Sequence, residues 1–142
     1  MKEKTTRYYI NLIAGNIVGL LFVNTVLLWR PYTHGVILAS WSDILWAANI
    51  SQAVQIIGNF LLCFYRPRWF SAMVRAAFSA AGLLSILVFW VIFPLDFSHL
   101  VGTWLNTLLK VVLMIGMVGA LAGFLVELVR FLRYTSRVAS EA

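Results

Sequence analysis

The sequence predicts an all-α fold: a polytopic membrane protein built as a four-transmembrane-helix bundle with short loops. Three observations carry that prediction. Of the 142 residues, 62% are hydrophobic and only 11% charged, with a mean hydropathy of +0.90, whereas soluble domains run to roughly a quarter charged. Four apolar runs approach or exceed the ~20 residues that a helix needs to cross ~30 Å of hydrocarbon. The basic residues gather between those runs instead of along one polar face. The length is that of a single domain, residues 1–142.

The first run, Ile10 to Trp29, closes on Arg30-Pro31. It comes after a basic front, MKEKTTR, but exceeds the 7–15 residues of a signal-peptide core. No small-x-small cleavage site lies beyond it, so it is expected to remain as a span. The second run, Ile44 to Tyr65, closes on Arg66-Pro67-Arg68, and Ser42 or Asp43 is the expected cap at its start. The third, Ala72 to Phe93, closes on Pro94, and Asp96 or Ser98 is the expected cap in the loop beyond it. The fourth, Thr103 to Leu132, continues into the basic tail RFLRYTSR. Proline sits after three of the runs, where it breaks no interior hydrogen bond. None of the four shows the period-two alternation of barrel strands, which leaves helices as the way to satisfy backbone groups in lipid.

Orientation is set by the cations. Lys2, Lys4, Arg7, Arg66, Arg68, Arg75, Arg130, Arg133 and Arg137 fall on one side of a four-span chain, and Arg30 and Lys110 on the other. Nine against two predicts a cell-membrane protein with both termini cytoplasmic, and the compactness suggests a bacterial one. The six tryptophans sit at or near the predicted span ends, as interfacial aromatics do.

Within the spans, three groups of residues invite a functional reading. Gln52, Gln55 and Asn59 share one face of the second helix. Amides in hydrocarbon require partners, so this stripe is expected to bond to the first helix through Asn16 or Asn24, or else to line a solute site. Small residues form a second group: Gly15 and Gly19 on the first helix, Ala77, Ala81 and Ser85 on the third, and Gly116, Gly119, Ala120 and Gly123 on the fourth. Such positions let helices approach closely. The charges Lys110, Glu127 and Arg130 form the third. Lys110 and Glu127 are 17 residues apart, about 25 Å along a helix. They are expected to mark the two water boundaries, with Glu127 paired to Arg130. The rival reading pairs Lys110 with Asp96 at the mouth of an outward-facing cavity.

Several chemistries are excluded or disfavoured. No central acidic or basic residue stands in a span, as a proton-coupled pump or voltage sensor requires. Histidine occurs only at His34 and His99, in loops, which excludes a bis-histidine haem within the bundle. The lone cysteine, Cys63, permits no intrachain disulfide. A metal site from His34, Asp43, Asp96 and His99 is a weaker reading than loop histidines and capping aspartates. No basic face with stacking aromatics suggests nucleic acid. The sequence therefore points to no catalytic or metal residues and no cofactor. It points instead to a structural, accessory or oligomer-forming subunit, whose partners are lipids, other copies of itself or other membrane-protein subunits. A transporter or small-solute-binding protein using the amide stripe is the alternative.

Overall fold

The computed structural model of the chain describes residues 5–140. Lys2 and Lys4, which enter the charge count above, lie outside the described residues, as does the side chain of Arg137. The helices are α1 (Thr6–Trp29), α2 (Trp41–Phe64), α3 (Arg68–Ile92), α4 (Ser98–Val101) and α5 (Thr103–Ser140), and a single 3-10 turn, Arg30–Tyr32, ends α1. By length and composition α1, α2, α3 and α5 can each cross a membrane.

Each of these helices contains most of one predicted run but is bounded differently. α1 begins at Thr6 instead of Ile10, α2 at Trp41 instead of Ile44, α3 at Arg68 instead of Ala72, and α5 continues past Leu132 to Ser140. Hydropathy marks the lipid-compatible part of a helix, whereas the i→i−4 ladder extends as far as the backbone stays unbroken. Pro67 stands at the N-cap of α3, and Phe93, in the left-handed region at φ 39°, ends that helix just before Pro94. The expected caps Ser42 and Asp43 lie inside the first turn of α2. Ser40 holds the cap position without a side-chain bond, and Ser42 Oγ donates to the Ala39 carbonyl at 2.9 Å.

Packing proceeds in chain order: α1 against α2, α2 against α3, and α3 against α5. Among the described residues α1 and α5 do not approach one another. The result is an open bundle with α2 and α3 inside. Two apolar clusters close its ends. Tyr9, Leu62 and Val74 meet at the end where α1 begins. Val26, Trp41 and Ile44 meet at the other end, where Val88, Phe89 and Ile92 pack on them and Trp41 Nε1 donates to the Val23 carbonyl at 3.0 Å. Also at that end, Leu38 N donates to Pro94 O (3.0 Å) and Asp96 N to Val36 O (2.9 Å), which joins the two interhelical loops through an Ile37–Leu95 bridge. Val36, Ile37 and Leu38 thus tie the first loop to the other.

Among the glycines, the tightest surroundings are at Gly58. A Cβ built there meets Phe78 Cε1 at 2.3 Å and Val74 Cγ1 at 2.8 Å, so only the absence of a side chain lets α3 seat on α2. Replacing Gly58 by Ala is expected to cost about 1–3 kcal/mol through overpacking, read as a lower thermal midpoint of the purified protein in detergent. Gly82→Ala on α3, where a Cβ meets nothing within 4 Å, should leave the midpoint unchanged or raise it.

Candidate functional site

The polar side chains that join one helix or loop to another fall into two seams and a cap. The first seam lies between α1 and α2. Asn24 Nδ2 donates to Asn49 Oδ1 at 2.7 Å and Asn49 Nδ2 donates back to Asn24 Oδ1 at 3.2 Å, a reciprocal amide pair. Three residues along α2, Gln52 sits over Gly19, where a Cβ would stand 3.2 Å from its Nε2. Gly19 therefore makes room for an amide of α2, while a Cβ at Gly15 meets nothing within 4 Å.

The predicted stripe is not joined into one site. Gln55 Nε2 reaches Ser51 Oγ only at 3.5 Å, and Asn59 Nδ2 turns back to the Gln55 carbonyl at 2.8 Å. Asn59 is 2% exposed, and its Oδ1 and Gln52 Oε1 are buried without a hydrogen-bond donor. Asn16 bonds within its own helix, to the Leu12 carbonyl (2.8 Å), and the interhelical partner of Asn24 is Asn49. Asn49 lies outside the 52–55–59 pattern, three residues before it, and an amide facing Asn24 at a matching depth was the available signal.

The second seam lies between α3 and α5. A Cβ at Gly116 would lie 4.0 Å from Ile86 Cδ1, and one at Gly123 3.6 Å from Ser79 Oγ. Glu127 Oε2 stands 3.4 Å from Arg75 Nε. Steps of seven and four residues on α5 are thus matched by equal steps backward on α3, as antiparallel helices in steady register require. Gly119 is exposed, and a Cβ there meets nothing within 4 Å. On α3 the buried small residues are Ala72, Ala76 and Ala81, while Ala77 is exposed.

Glu127 is the hub of the charges. Its Oε1 accepts from Arg130 Nη1 at 2.7 Å, the expected i,i+3 pair, and its Oε2 faces Arg75. The Arg75 contact is within ion-pair range but is not aligned as a hydrogen bond, so Arg75 Nε and Glu127 Oε2 both stay without one. The Glu127 side chain is 13% exposed. A groove of about 420 Å³ opens beside the pair, lined by Arg75, Phe78, Ser79, Gly123, Val126 and Glu127. A second cavity of about 220 Å³ lies between α2 and α3 around Gly58 and Phe78. Neither is lined by the amide stripe.

The cap sits at the opposite end. Asp96 Oδ1 accepts from Ser98 N and from Asn106 Nδ2, each at 2.9 Å, and Asn106 Oδ1 accepts from Phe97 N at 3.0 Å. Neither expected cap holds the N-cap of α4, which is Phe97 without a side-chain bond; Asp96, one residue earlier, accepts from Ser98 N and ties the start of α4 to α5. Its carboxyl is held down to about 2, chiefly by hydrogen bonds from Ser98 and then from Asn106. Lys110 Nζ lies over the Phe93 ring, 4.8 Å from its centroid. The structure therefore gives Lys110 an aromatic face and Asp96 an amide, in place of the Lys110–Asp96 pair considered from sequence. Among the described residues no group of three His, Cys, Asp or Glu is placed to hold a metal.

Two outcomes test this geometry. Leucine at Asn24, at Asn49 and at both should show a coupling of about 0.6 kcal/mol, and up to ~1.7, in a double-mutant cycle on thermal stability. Because the Asp96 carboxyl is lowered on folding, its contribution is complete above the ordinary value of 3.8 and is lost as the pH falls through about 2. Asp96→Asn should lower the neutral-pH melting point and flatten its decline between those values. Comparison with known proteins finds no family model that matches the chain, no similar sequence among curated proteins and no similar fold among solved structures.

Proposed function

We propose that this chain is a multi-pass integral membrane protein with both termini cytoplasmic, acting as a structural or accessory subunit. It assembles with copies of itself or with other membrane proteins through the outer flanks of α1 and α5. The observation that carries this reading is how little the chain covers its own apolar helices. In the most apolar stretch of α5 no residue is buried, and in that of α1 only 6% are. The accessible surface is 9359 Å², against about 7,400 Å² for a compact soluble monomer of 16.0 kDa. In water such a surface would be an aggregation liability. In lipid it is tolerated, and small residues on it favour helix–helix contact. Gly15 and Gly119 both lie exposed on these outer helices.

The orientation has support from the same geometry. Arg66 bonds Thr6 at the start of α1 and lies 5.3 Å from the Tyr9 ring centroid, which puts the α2–α3 turn beside the amino end. Arg75 and Arg130 meet at Glu127 on that side of the bundle. Cations so collected favour the cytoplasmic face. A second reading, a solute site at the amide stripe, draws on the two unpaired oxygens of Gln52 and Asn59.

Gentle detergent extraction and then native mass measurement test the assembly. Wild type should run above the mass of one chain, alone or with co-purifying subunits. Leucine at both Gly15 and Gly119 should reduce it to a monomer of undiminished thermal stability, because neither position faces another atom of the chain within 4 Å. A monomeric wild type, or an assembly indifferent to the two leucines, would refute the reading. Lost solute flux in Gln52→Leu/Gln55→Leu with assembly intact would favour the second.

A further inference from the structure

Resting on the membrane placement above but not on assembly, we propose that the groove between α3 and α5 is a binding site for an anionic phospholipid. Its phosphodiester lies on Arg75, with Arg130 held beside the groove by Glu127, and the upper part of an acyl chain lies against Phe78, Gly123 and Val126. The groove is amphipathic along the bundle axis, as a phospholipid is. Its charged end, Arg75 and Glu127, lies toward the start of α3 and the far end of α5. Ser79 and Gly123 lie one turn deeper on both helices, and the wall there is largely apolar. Glu127 stands about 25 Å along α5 from Lys110, close to the thickness of the hydrocarbon layer. With Lys110 at one edge of that layer, the charged end falls near the other edge, from which a long arginine side chain reaches toward the phosphates.

The donor set selects an anion. Two guanidinium groups share one carboxylate, leaving a net positive site. Arg130 is matched at 2.7 Å, but Arg75 Nε is 3.4 Å from Glu127 Oε2 and makes no hydrogen bond. A guanidinium carries five N–H donors suited to planar oxyanions; Nε is buried beside Glu127, so the terminal nitrogens of the partly exposed Arg75 side chain are the donors left for a phosphodiester. A choline headgroup would add a cation beside two arginines, whereas a glycerol headgroup would not. The volume of about 420 Å³ is within the range of small-ligand sites, and basic pockets between helices at the cytoplasmic boundary are where anionic headgroups bind.

Native mass spectrometry of the detergent-purified protein with added phosphatidylglycerol or phosphatidylcholine tests the proposal. Wild type should retain phosphatidylglycerol in preference, and Arg75→Gln should reduce that preference about fivefold, the share of one arginine at an anionic interface. Glu127 keeps Arg130 in that variant, so no buried charge is stranded. Ala122→Phe narrows the exposed rim of the groove without changing any charge and should lower phosphatidylglycerol retention as well. If Arg75→Gln fails to fold, this second variant decides. Free glycerol phosphate should not compete. Equal retention of both lipids, an unchanged preference in a folded variant, or competition by glycerol phosphate would each overturn the proposal. None of these outcomes bears on whether the protein requires detergent for extraction, which tests the membrane placement separately.

Discussion

On the membrane placement proposed above, every polar group carried on these apolar helices must find its partner within the chain or leave a cost unmet, and the side-chain bonding follows that constraint. The commonest solution is local. Asn16, Asn24, Thr25, Asn59 and Thr107 each donate to the carbonyl four residues earlier on their own helix. Such bonds satisfy a side chain without committing it to a neighbour. Interhelical bonds are few and placed where helices must be held in register: Asn24 with Asn49, and Trp41 with the Val23 carbonyl. Among the described residues, what stays buried and unpaired is confined to Gln52 and Asn59 in the middle of α2 and to the Arg75–Glu127 contact.

The two ends of the bundle are built differently as a consequence. At the end holding the two interhelical loops, backbone groups leave the helical ladder and have to be paired again. The Ile37–Leu95 bridge, the buried Pro94 and the Asp96–Asn106 pair achieve this, so the loops behave as one cap. At the other end α2 and α3 are joined by a turn too short to need a cap. The polar groups there are long cationic side chains: Arg66 donates to the Leu62 carbonyl at 2.7 Å while its guanidinium lies over Tyr9. With the cap at one end and the cationic rim at the other, the flanks of α1 and α5 are the apolar faces the chain itself leaves open.

The four long helices were legible because length, apolarity and flanking Arg-Pro pairs are local signals. Their ends were not, since backbone hydrogen bonding continues into polar sequence that a hydropathy argument discards. The packing faces were only partly legible. On α5 the arc from Gly116 to Glu127 contains Gly123 and Glu127, which meet α3 closely, but also Gly119, which is exposed and faces no neighbour. Small residues mark where approach is permitted, not which permitted face is used. Gly58, the most tightly surrounded of the glycines, gave no signal because it stands alone without a GxxxG partner. The Arg75–Glu127 contact escaped because each residue had a sufficient explanation as a boundary charge. Their proximity depends on the antiparallel register of helices that are not joined by one tight turn but are separated by the whole loop cap.

That register also explains why charge is tolerated at this depth. A lone Glu127 carboxylate, 13% exposed, would lose most of its hydration with nothing in exchange. Two arginines, one from each helix, replace that hydration, and because Arg75 belongs to α3 the pair ties the two helices at a fixed axial offset. Shifting α5 by one residue would rotate Glu127 by about 100° away from Arg75 and would at the same time move Gly123 off Ser79 and Gly116 off Ile86. The charge contact and the helix packing therefore share one offset. The register sets where the groove beside Glu127 opens, and α5, about 57 Å long at 38 residues, can extend beyond the bundle without disturbing it.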